Sequence, residues 1–314
     1  MYSKSVVELL PSLNSDAGIC DAARVSFAKR AENFTDEENK KLLRYLWKHK
    51  HWSPFGHARE AFRFSMNSSQ MLQFLSRANC ASLVWTITNN QQYMIQTSLW
   101  GWCENAKYLP INCQDTVNRS LSARYPLCAD MFEKAAYDVV KQCLFTELDE
   151  VDSKDFATLS FRIKAPIFVA RQLVKHQVGL CWNEESRRYI DSTPEFYNVQ
   201  EFRARPDGSI KQGSAGAHVD QGALHTEYET AVGFTGSTYH DMIDMNVAPE
   251  QARMVLPLSM MTTWIWTGSV AAFKRVCNLR LDAHAQAECR EVAVMIDSFC
   301  RQQYPNTWAA LDNA

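Results

Sequence analysis

The sequence predicts an α+β fold, and three observations carry that expectation. Two short segments, Ala61-Phe62-Arg63-Phe64-Ser65-Met66 and Leu159-Ser160-Phe161-Arg162-Ile163, alternate apolar and polar residues like half-buried strands. Several longer stretches repeat apolar residues at helical spacing instead. With 46% hydrophobic residues over 314 positions, the chain can bury a large core in one elaborated domain or two smaller ones.

From the N-terminus, Thr35 followed by Glu37 and Glu38 reads as an N-cap with early acids. Leu42, Leu43, Leu46 and Trp47 then carry a helix to Lys48, which gives way to the loop His49-Lys50-His51-Trp52-Ser53-Pro54. The strand from Ala61 follows. The region between the two strands is mostly helical in pattern, with Trp, Cys and Met at apolar positions, and is read as an inserted subdomain spanning about 67–155. Pro166 breaks the second strand, and Ile167 to Val174 begins a helix leading into His176. Glu201 to Gly222 is rich in Gly, Ser, Arg and Asp and reads as a long loop. From Pro249 the chain is helical again, with Glu250 in a first turn, a helix over Ala271–Val276 and a long amphipathic helix over Ala283–Gln302.

Composition excludes several function classes. The formal charge of −2 gives no global attraction to nucleic acid or an acidic membrane, so any bound anion needs a local cluster. Ten cysteines are scattered without CxxC spacing and are expected to be reduced and mostly buried. The N-terminus lacks a signal-peptide pattern, and no run of about 18 uncharged apolar residues occurs, so a cytoplasmic protein without a membrane span is expected. Neither GxGxxG, GxxxxGK[ST] nor HExxH is present, which argues against a dinucleotide fold, a phosphate loop and a zinc site.

The densest polar cluster is Lys175-His176-Gln177 with Asn183-Glu184-Glu185-Ser186-Arg187-Arg188-Tyr189. Arginines fork onto phosphate oxygens while amides read ring edges, so the cluster suits a phosphorylated heterocycle; a solvated charged helix end has the same composition. Ser53-Pro54-Phe55-Gly56-His57 presents an imidazole on a turn, in a functional or a structural role. Arg280 and His284 share a helical face if the helix has already begun there, and Arg280 has two readings: a nucleotide ligand, or an ion pair with Asp282 or Glu288. Cys181 is the one thiol inside the polar cluster, a small hydrophobe or a reactive group.

Taken in order along the chain, these segments resemble the flavin-dependent thymidylate synthase (ThyX) family. Ala22-Ala23-Arg24-Val25-Ser26 and Ser53-Pro54-Phe55-Gly56-His57 resemble its opening, usually SPFEH, and Pro166-Ile167-Phe168-Val169-Ala170-Arg171-Gln172 resembles the approach to its signature RHRxxSxNExSxRY. The signature follows as Lys175-His176-Gln177 and Asn183 to Tyr189. Lys211-Gln212-Gly213-Ser214, Glu250 to Pro257 and Leu279 to Glu288 resemble later blocks. The resemblance implies one catalytic domain over 1–314, with an antiparallel sheet packed by long helices, and a homotetramer whose active sites draw on several protomers. It implies that FAD, a deoxyuridine monophosphate and a folate stack together, with methylenetetrahydrofolate as one-carbon donor and NADPH as reductant. Carried over, Ser186 and Arg188 hold the nucleotide, Gln172 and Arg253 face it, and Arg280 polarises the pyrimidine. Ser186 and Arg280 are thus the expected catalytic pair. His57, Lys175, His176, Gln177, Asn183 and Glu184 are implied to contact flavin or folate, with His284 and Gln286 near Arg280.

The departures from the family pattern cluster at the cofactor positions. Lys175 and Gln177 replace both arginines of RHR, one extra residue separates His176 from Asn183, Cys181 falls at the usual Ser, and Gly56 stands where the family has Glu. Ser269 and Arg275 occupy positions where asparagines are expected. The nucleotide positions are nearly intact. Ordinary dUMP methylation is therefore the main expectation. A hydroxymethyl product, cytosine in place of uracil, or a non-catalytic nucleotide-binding subunit are the alternatives.

Overall fold

The structure is a computed structural model that describes residues 1–79, 83–87, 92–131, 156–206 and 213–311. The chain opens with strands β1 (Tyr2–Ser3) and β2 (Val6–Leu10), then helices α1 (Asp16–Arg24) and α2 (Asp36–Lys48). Ser15 caps α1 by accepting from the Gly18 amide, and a full capping box of Thr35 and Glu38 starts α2 as expected. Strand β3 (Arg59–Phe64) begins two residues before the expected segment because Arg59 already pairs with Ser98.

The segment expected to be helical does contain α3 (Ser68–Leu75), α4 (Leu99–Asn105) and α5 (Ile111–Arg124), but it also contains two strands. Strands β4 (Val84–Ile87) and β5 (Tyr93–Ser98) pair antiparallel, and β3 joins β5 on its other edge. The alternation in Tyr93-Met94-Ile95-Gln96-Thr97-Ser98 is hidden because every one of these residues is buried, which erases the polar phase of a strand. Phe55, Phe62, Phe64, Phe74, Trp102 and Tyr125 form the centre of this first core. Trp85 is exposed, whereas Tyr93, Met94 and Trp102 are buried. The remainder of the expected insertion, 132–155, lies outside the described residues, as does most of the Lys211-Gln212 loop.

The second core surrounds a four-stranded sheet built from β2, β6 (Thr158–Pro166), β7 (Leu180–Glu184) and β9 (Met261–Ser269) in the order β2-β6-β9-β7, every neighbour antiparallel. Pro166 closes β6 rather than cutting it short at Ile163, and it doubles as the N-cap of α6 (Ile167–Leu173). Phe161, Ile163, Trp264 and Trp266 point to one face, where Phe273, Val276, Val292 and Ile296 cover them. Those covering residues belong to α9 (Val270–Arg280) and α10 (Ala287–Gln303). The opposite face receives Ile265, which packs on Leu10, Leu13, Ala22 and Val25, so α1 covers that side. Helix α10 starts four residues later than expected, because Leu281–Gln286 is a turn rather than its first coil.

Between β8 (Phe196–Tyr197) and the short α8 (Pro249–Ala252) runs α7 (Gln221–Asp244), a 24-residue helix that the sequence reading does not foresee. Only Val232 and Tyr239 of α7 are buried, so no apolar stripe marks it, and Gly222, Gly233 and Gly236 lower its propensity further. The chain closes with α11 (Pro305–Ala310), which seats the buried Trp308 against the second core.

The turn at Pro54–Gly56 meets β7 at a point with no room to spare. A Cβ added at Gly56 would lie 2.7 Å from Cys181 Sγ, so glycine at 56 and cysteine at 181 are one packing solution. Gly56→Ala is expected to cost on the order of 1–3 kcal/mol of stability through overpacking. Adding Cys181→Ala is expected to recover most of that loss. Urea unfolding of the two single variants and the double variant measures the coupling.

Candidate active site

The expected site residues fall into two separate groups in one chain, and strand β7 explains why. Side chains alternate across a strand, so Cys181 and Asn183 leave the α1 face while Trp182 and Glu184 leave the α9 face. Adjacent letters of the signature therefore serve opposite sides of the sheet. Glu184 accepts from Thr262 Oγ1 (2.9 Å) and from Trp182 Nε1 (3.1 Å), and Trp182 stacks on Trp264 with centroids 4.5 Å apart.

On the α1 face, Asn183 borders a cleft of about 560 Å³ together with Ser26, His51, Ser53 and Arg188. Its walls are unusual in charge. Arg24, Lys29 and Arg188 line it beside Phe27, Phe34, Tyr45 and Tyr189, and no aspartate or glutamate is among the lining residues. Two cations are held against rings, Arg24 at 3.8 Å from the Phe34 centroid and Arg188 at 5.0 Å from that of Tyr189. Tyr189 stacks on Phe27 at 4.9 Å. Ser26 Oγ donates to the Glu184 carbonyl (3.0 Å) and the Ser186 amide donates to the Ser26 carbonyl (3.1 Å), so the turn after α1 and the loop after β7 are tied together. Arg188 Nε donates to Ser186 Oγ (3.3 Å), which joins the two expected nucleotide residues. Cationic, aromatic and free of carboxylates, the cleft suits a planar anionic ligand.

His57 stands behind this cleft. It is 1% exposed, its Nδ1 lies 2.7 Å from Thr267 Oγ1, and its Nε2 lies 3.3 Å from Asn183 Oδ1. Burial pushes its pKa down to about 4, against a smaller upward pull from Asn183. The ring is therefore neutral at pH 7, with a protein partner beside each nitrogen, and it also borders a separate cavity of about 380 Å³. Burial pushes the Cys181 thiol up to about 12, against the opposing Arg59 charge, which disfavours a thiolate there.

The second group gathers at the other end of β7. Arg280 is the last residue of α9, and it donates from Nε to His176 Nε2 (3.0 Å) and from Nη2 to the Gln172 carbonyl (3.2 Å). Accepting at Nε2 requires a neutral imidazole; partial burial, and then the Arg280 charge, lower the His176 pKa and favour that form. Gln172, Arg280, His284 and Gln286 line a cavity of about 610 Å³, and Gln172 Nε2 donates to Gln286 Oε1 (2.5 Å). Among the described residues no carboxylate pairs with Arg280. Glu288 is taken by Arg203 (2.6 Å) and Asp282 by His284 (2.9 Å), so neither ion pair considered for Arg280 forms. The shared helical face of Arg280 and His284 does not exist either, since His284 sits in the turn after α9.

The remaining expected positions are peripheral in one chain. Lys175 and Gln177 are exposed in the turn after α6, which reverses at Gly179 (φ 74°) and is held by Arg275 Nη2 donating to the Val178 carbonyl (2.9 Å). That strap and the capping of α9 by Ser269 account for the two residues standing where asparagines were expected. Arg253 is exposed beside α8 and donates to the Glu250 carbonyl (3.3 Å). Sequence reasoning missed Phe27, Lys29, Phe34, Tyr45 and His51 as cleft walls. For His51 the signal was the basic and aromatic run ahead of Ser53-Pro54; the others carried none. Among the described residues no group of three or more His, Cys, Asp or Glu is placed to hold a metal ion, and no helix is long and apolar enough to cross a membrane.

Comparison with known proteins identifies the family. A family model described as thymidylate synthase complementing protein matches residues 8–98 and 152–306. A flavin-dependent thymidylate synthase of Aquifex aeolicus is 28% identical over 306 residues, covering 90% of this chain and 93% of that protein. One from Kosmotoga olearia is 38% identical over 157 residues, covering 49% of this chain and 66% of that protein, so this match spans about two thirds of the relative's length. The crystal structure of a UMP/dUMP methylase, PolB, from Streptomyces cacaoi bound with 5-Br UMP aligns over 99% of this chain and 95% of that one. Its TM-score is 0.50 at 21% identity, which shows a shared fold.

The depressed His57 pKa has a consequence for stability. In the unfolded chain the imidazole gains its proton near pH 6.5, whereas in the folded chain it does so only near 4. Its contribution is fully present above the higher value and is lost as pH falls through that window. Thermal unfolding from pH 7 to 4 is expected to show a steeper loss for the wild type than for His57→Gln; parallel profiles would contradict the assignment of a buried neutral ring.

Proposed function

As the chain belongs to the thymidylate synthase complementing protein family, matched over more than half its length, we propose that it is a flavin-dependent thymidylate synthase. It converts dUMP to dTMP with methylenetetrahydrofolate as one-carbon donor. The observation that carries this reading is the cleft in which Arg24, Lys29 and Arg188 stand among four aromatic rings without a carboxylate. A nucleotide monophosphate, a flavin and a folate are all planar and anionic, and the residues present fit such groups. Asn183, His51 and Ser53 on the cleft wall are the side chains proposed to meet flavin or folate, with Glu184, His176, Lys175 and Gln177 on the other face. When bound, the flavin, reduced by NADPH, supplies the hydride that completes the methyl group.

This chain's own share is position and charge. Ser186 and Arg188 take the phosphate end of the nucleotide, because a serine hydroxyl and a guanidinium already 3.3 Å apart form a two-part anion clamp. Arg280 faces the pyrimidine. Carbon 5 of uracil attacks an electrophile only when negative charge developing on the ring is stabilised, and a guanidinium without a carboxylate partner supplies that. Neutral His176 and the Gln172 carbonyl hold its orientation without quenching its charge.

Leu180 to Glu184, the strand separating the two groups, alone spans roughly 13 Å. Each group lines its own cavity. One nucleotide is therefore proposed to take Ser186 and Arg188 from one protomer and Gln172 and Arg280 from another, in a homotetramer. Exposed apolar side chains, Phe234 on α7 (72%), Met254 (73%), Leu279 (63%) and Val178 (78%), are available to such an interface. A cytoplasmic setting suits the eight described cysteines, all free thiols.

Purified protein is expected to show a flavin spectrum and, with methylenetetrahydrofolate and NADPH, to yield a dUMP product heavier by one CH₂ group. A gain of CH₂O, or activity on dCMP alone, would replace this reading with an altered pyrimidine product. A colourless protein that binds dUMP without turning it over would make it a nucleotide-binding subunit. Arg188→Ala and Arg280→Ala are each expected to lower turnover by on the order of 10²-fold or more while leaving the circular dichroism unchanged.

A further inference from the structure

Behind the cleft lies a continuous run of hydrogen bonds that joins three strands and a turn. Ser160 on β6 and Thr267 on β9 are cross-strand partners, and their hydroxyl oxygens are 2.8 Å apart. Thr267 Oγ1 lies 2.7 Å from His57 Nδ1, and His57 Nε2 lies 3.3 Å from Asn183 Oδ1 on β7. Ser160, Thr267 and His57 are all buried, and Asn183 alone reaches the cleft.

At His57 such a run has only two senses. A neutral imidazole carries one N–H, so His57 donates from one nitrogen and accepts at the other. In the first sense Nε2–H donates to Asn183 Oδ1, Nδ1 accepts the Thr267 proton, and the Ser160 hydroxyl donates to Thr267. In the second, Nδ1–H donates to Thr267 Oγ1, Nε2 accepts, and Asn183 must turn its NH₂ toward the ring. With the amide oxygen toward His57, the arrangement fits the first sense. The NH₂ of Asn183 is then free for a ligand in the cleft.

We propose that Ser160 and Thr267 are positioning residues that act through His57, fixing its Nε2–H tautomer and thereby aiming the NH₂ of Asn183 at an acceptor atom of the flavin or folate. Neither touches the ligand itself. The threonine methyl packs, but the hydroxyl is what sets the sense of the run. A valine there keeps the shape and removes the donor, freeing His57 Nδ1 of its partner and letting both tautomers, and both amide orientations, coexist. This inference rests on the flavin and folate reading for its ligand but not for its first readout.

The test compares wild type, Thr267→Val, Thr267→Ser and Ser160→Ala. Nitrogen NMR of the imidazole reports the tautomer without any ligand: the wild type and Thr267→Ser are expected to show the Nε2–H form alone, and Thr267→Val a mixture. Titration with FAD, followed by flavin fluorescence, and the KM for methylenetetrahydrofolate then report the aim of Asn183. One of the two is expected to weaken roughly ten-fold in Thr267→Val, the value of one hydrogen bond to a fixed donor, with recovery in Thr267→Ser and a smaller loss in Ser160→Ala. Should Thr267→Val fold poorly, Thr267→Ala, which also removes the hydroxyl, carries the same comparison. An Nδ1–H tautomer in the wild type overturns the proposal, as does a Thr267→Val protein with an unchanged tautomer and unchanged affinities. Failure of the wild type to bind FAD would instead sink the flavin reading, and the tautomer result would still decide this one.

Discussion

Strand β9 between β6 and β7 is the constraint on which the rest depends. Its register pairs Thr267 with both Ser160 and Cys181, and Ile265 with Asn183. Period-two alternation then assigns Asn183 and Cys181 to the α1 face and Trp182 and Glu184 to the α9 face. A slip of one residue would exchange those sets and put indole rings into the cationic cleft. The tryptophans prevent it. Trp264 and Trp266 are fully buried under Phe273, Val276 and Val292, and the rotated register would cost that burial, about 1.5–3 kcal/mol for a side chain of such size. The packing that holds the fold therefore also holds the chemistry in phase.

Electrostatics follow from the same geometry. A chain with a formal charge of −2 collects several cations around one aromatic cleft and keeps carboxylates out of its wall. Like charges brought together repel, and the structure offsets this locally: Arg24 rests on Phe34, Arg188 on Tyr189, and Asn39 Oδ1 accepts from Arg24. At the other end of the sheet, Arg280 is steered by a carbonyl and a neutral imidazole, partners that orient a guanidinium but do not neutralise it. Carboxylates were available nearby and are engaged elsewhere, Glu288 with Arg203 and Asp282 with His284.

The parts of the fold legible in the sequence are those with a local cause. Helix α2 announced itself through Thr35 and Glu38, and β6 and β3 through alternation, because capping and half-burial act within a few residues. Helix α7 was not legible: with only Val232 and Tyr239 buried, it has almost no apolar face to read. Strand β5 was hidden for the opposite reason, being buried on both faces. The site divides in the same way. Ordered motifs singled out Ser186, Arg188 and Arg280 as candidates, yet the adjacency of Asn183 and Glu184 in sequence concealed that they leave opposite faces. His57 pairs with Thr267, 210 residues away, and no local pattern carries such a pairing.

One nucleotide bridging two copies of the chain is the claim that binds the two half-sites into one enzyme, and subunit mixing tests it most directly. Arg188→Ala and Arg280→Ala proteins, each inactive alone, are unfolded, refolded together and assayed for dUMP methylation. A site shared between protomers regains activity in the mixture, because some interfaces then combine an intact Arg188 from one chain with an intact Arg280 from the other. A mixture as inactive as its parents would contradict the shared site and require both groups to act within a single chain.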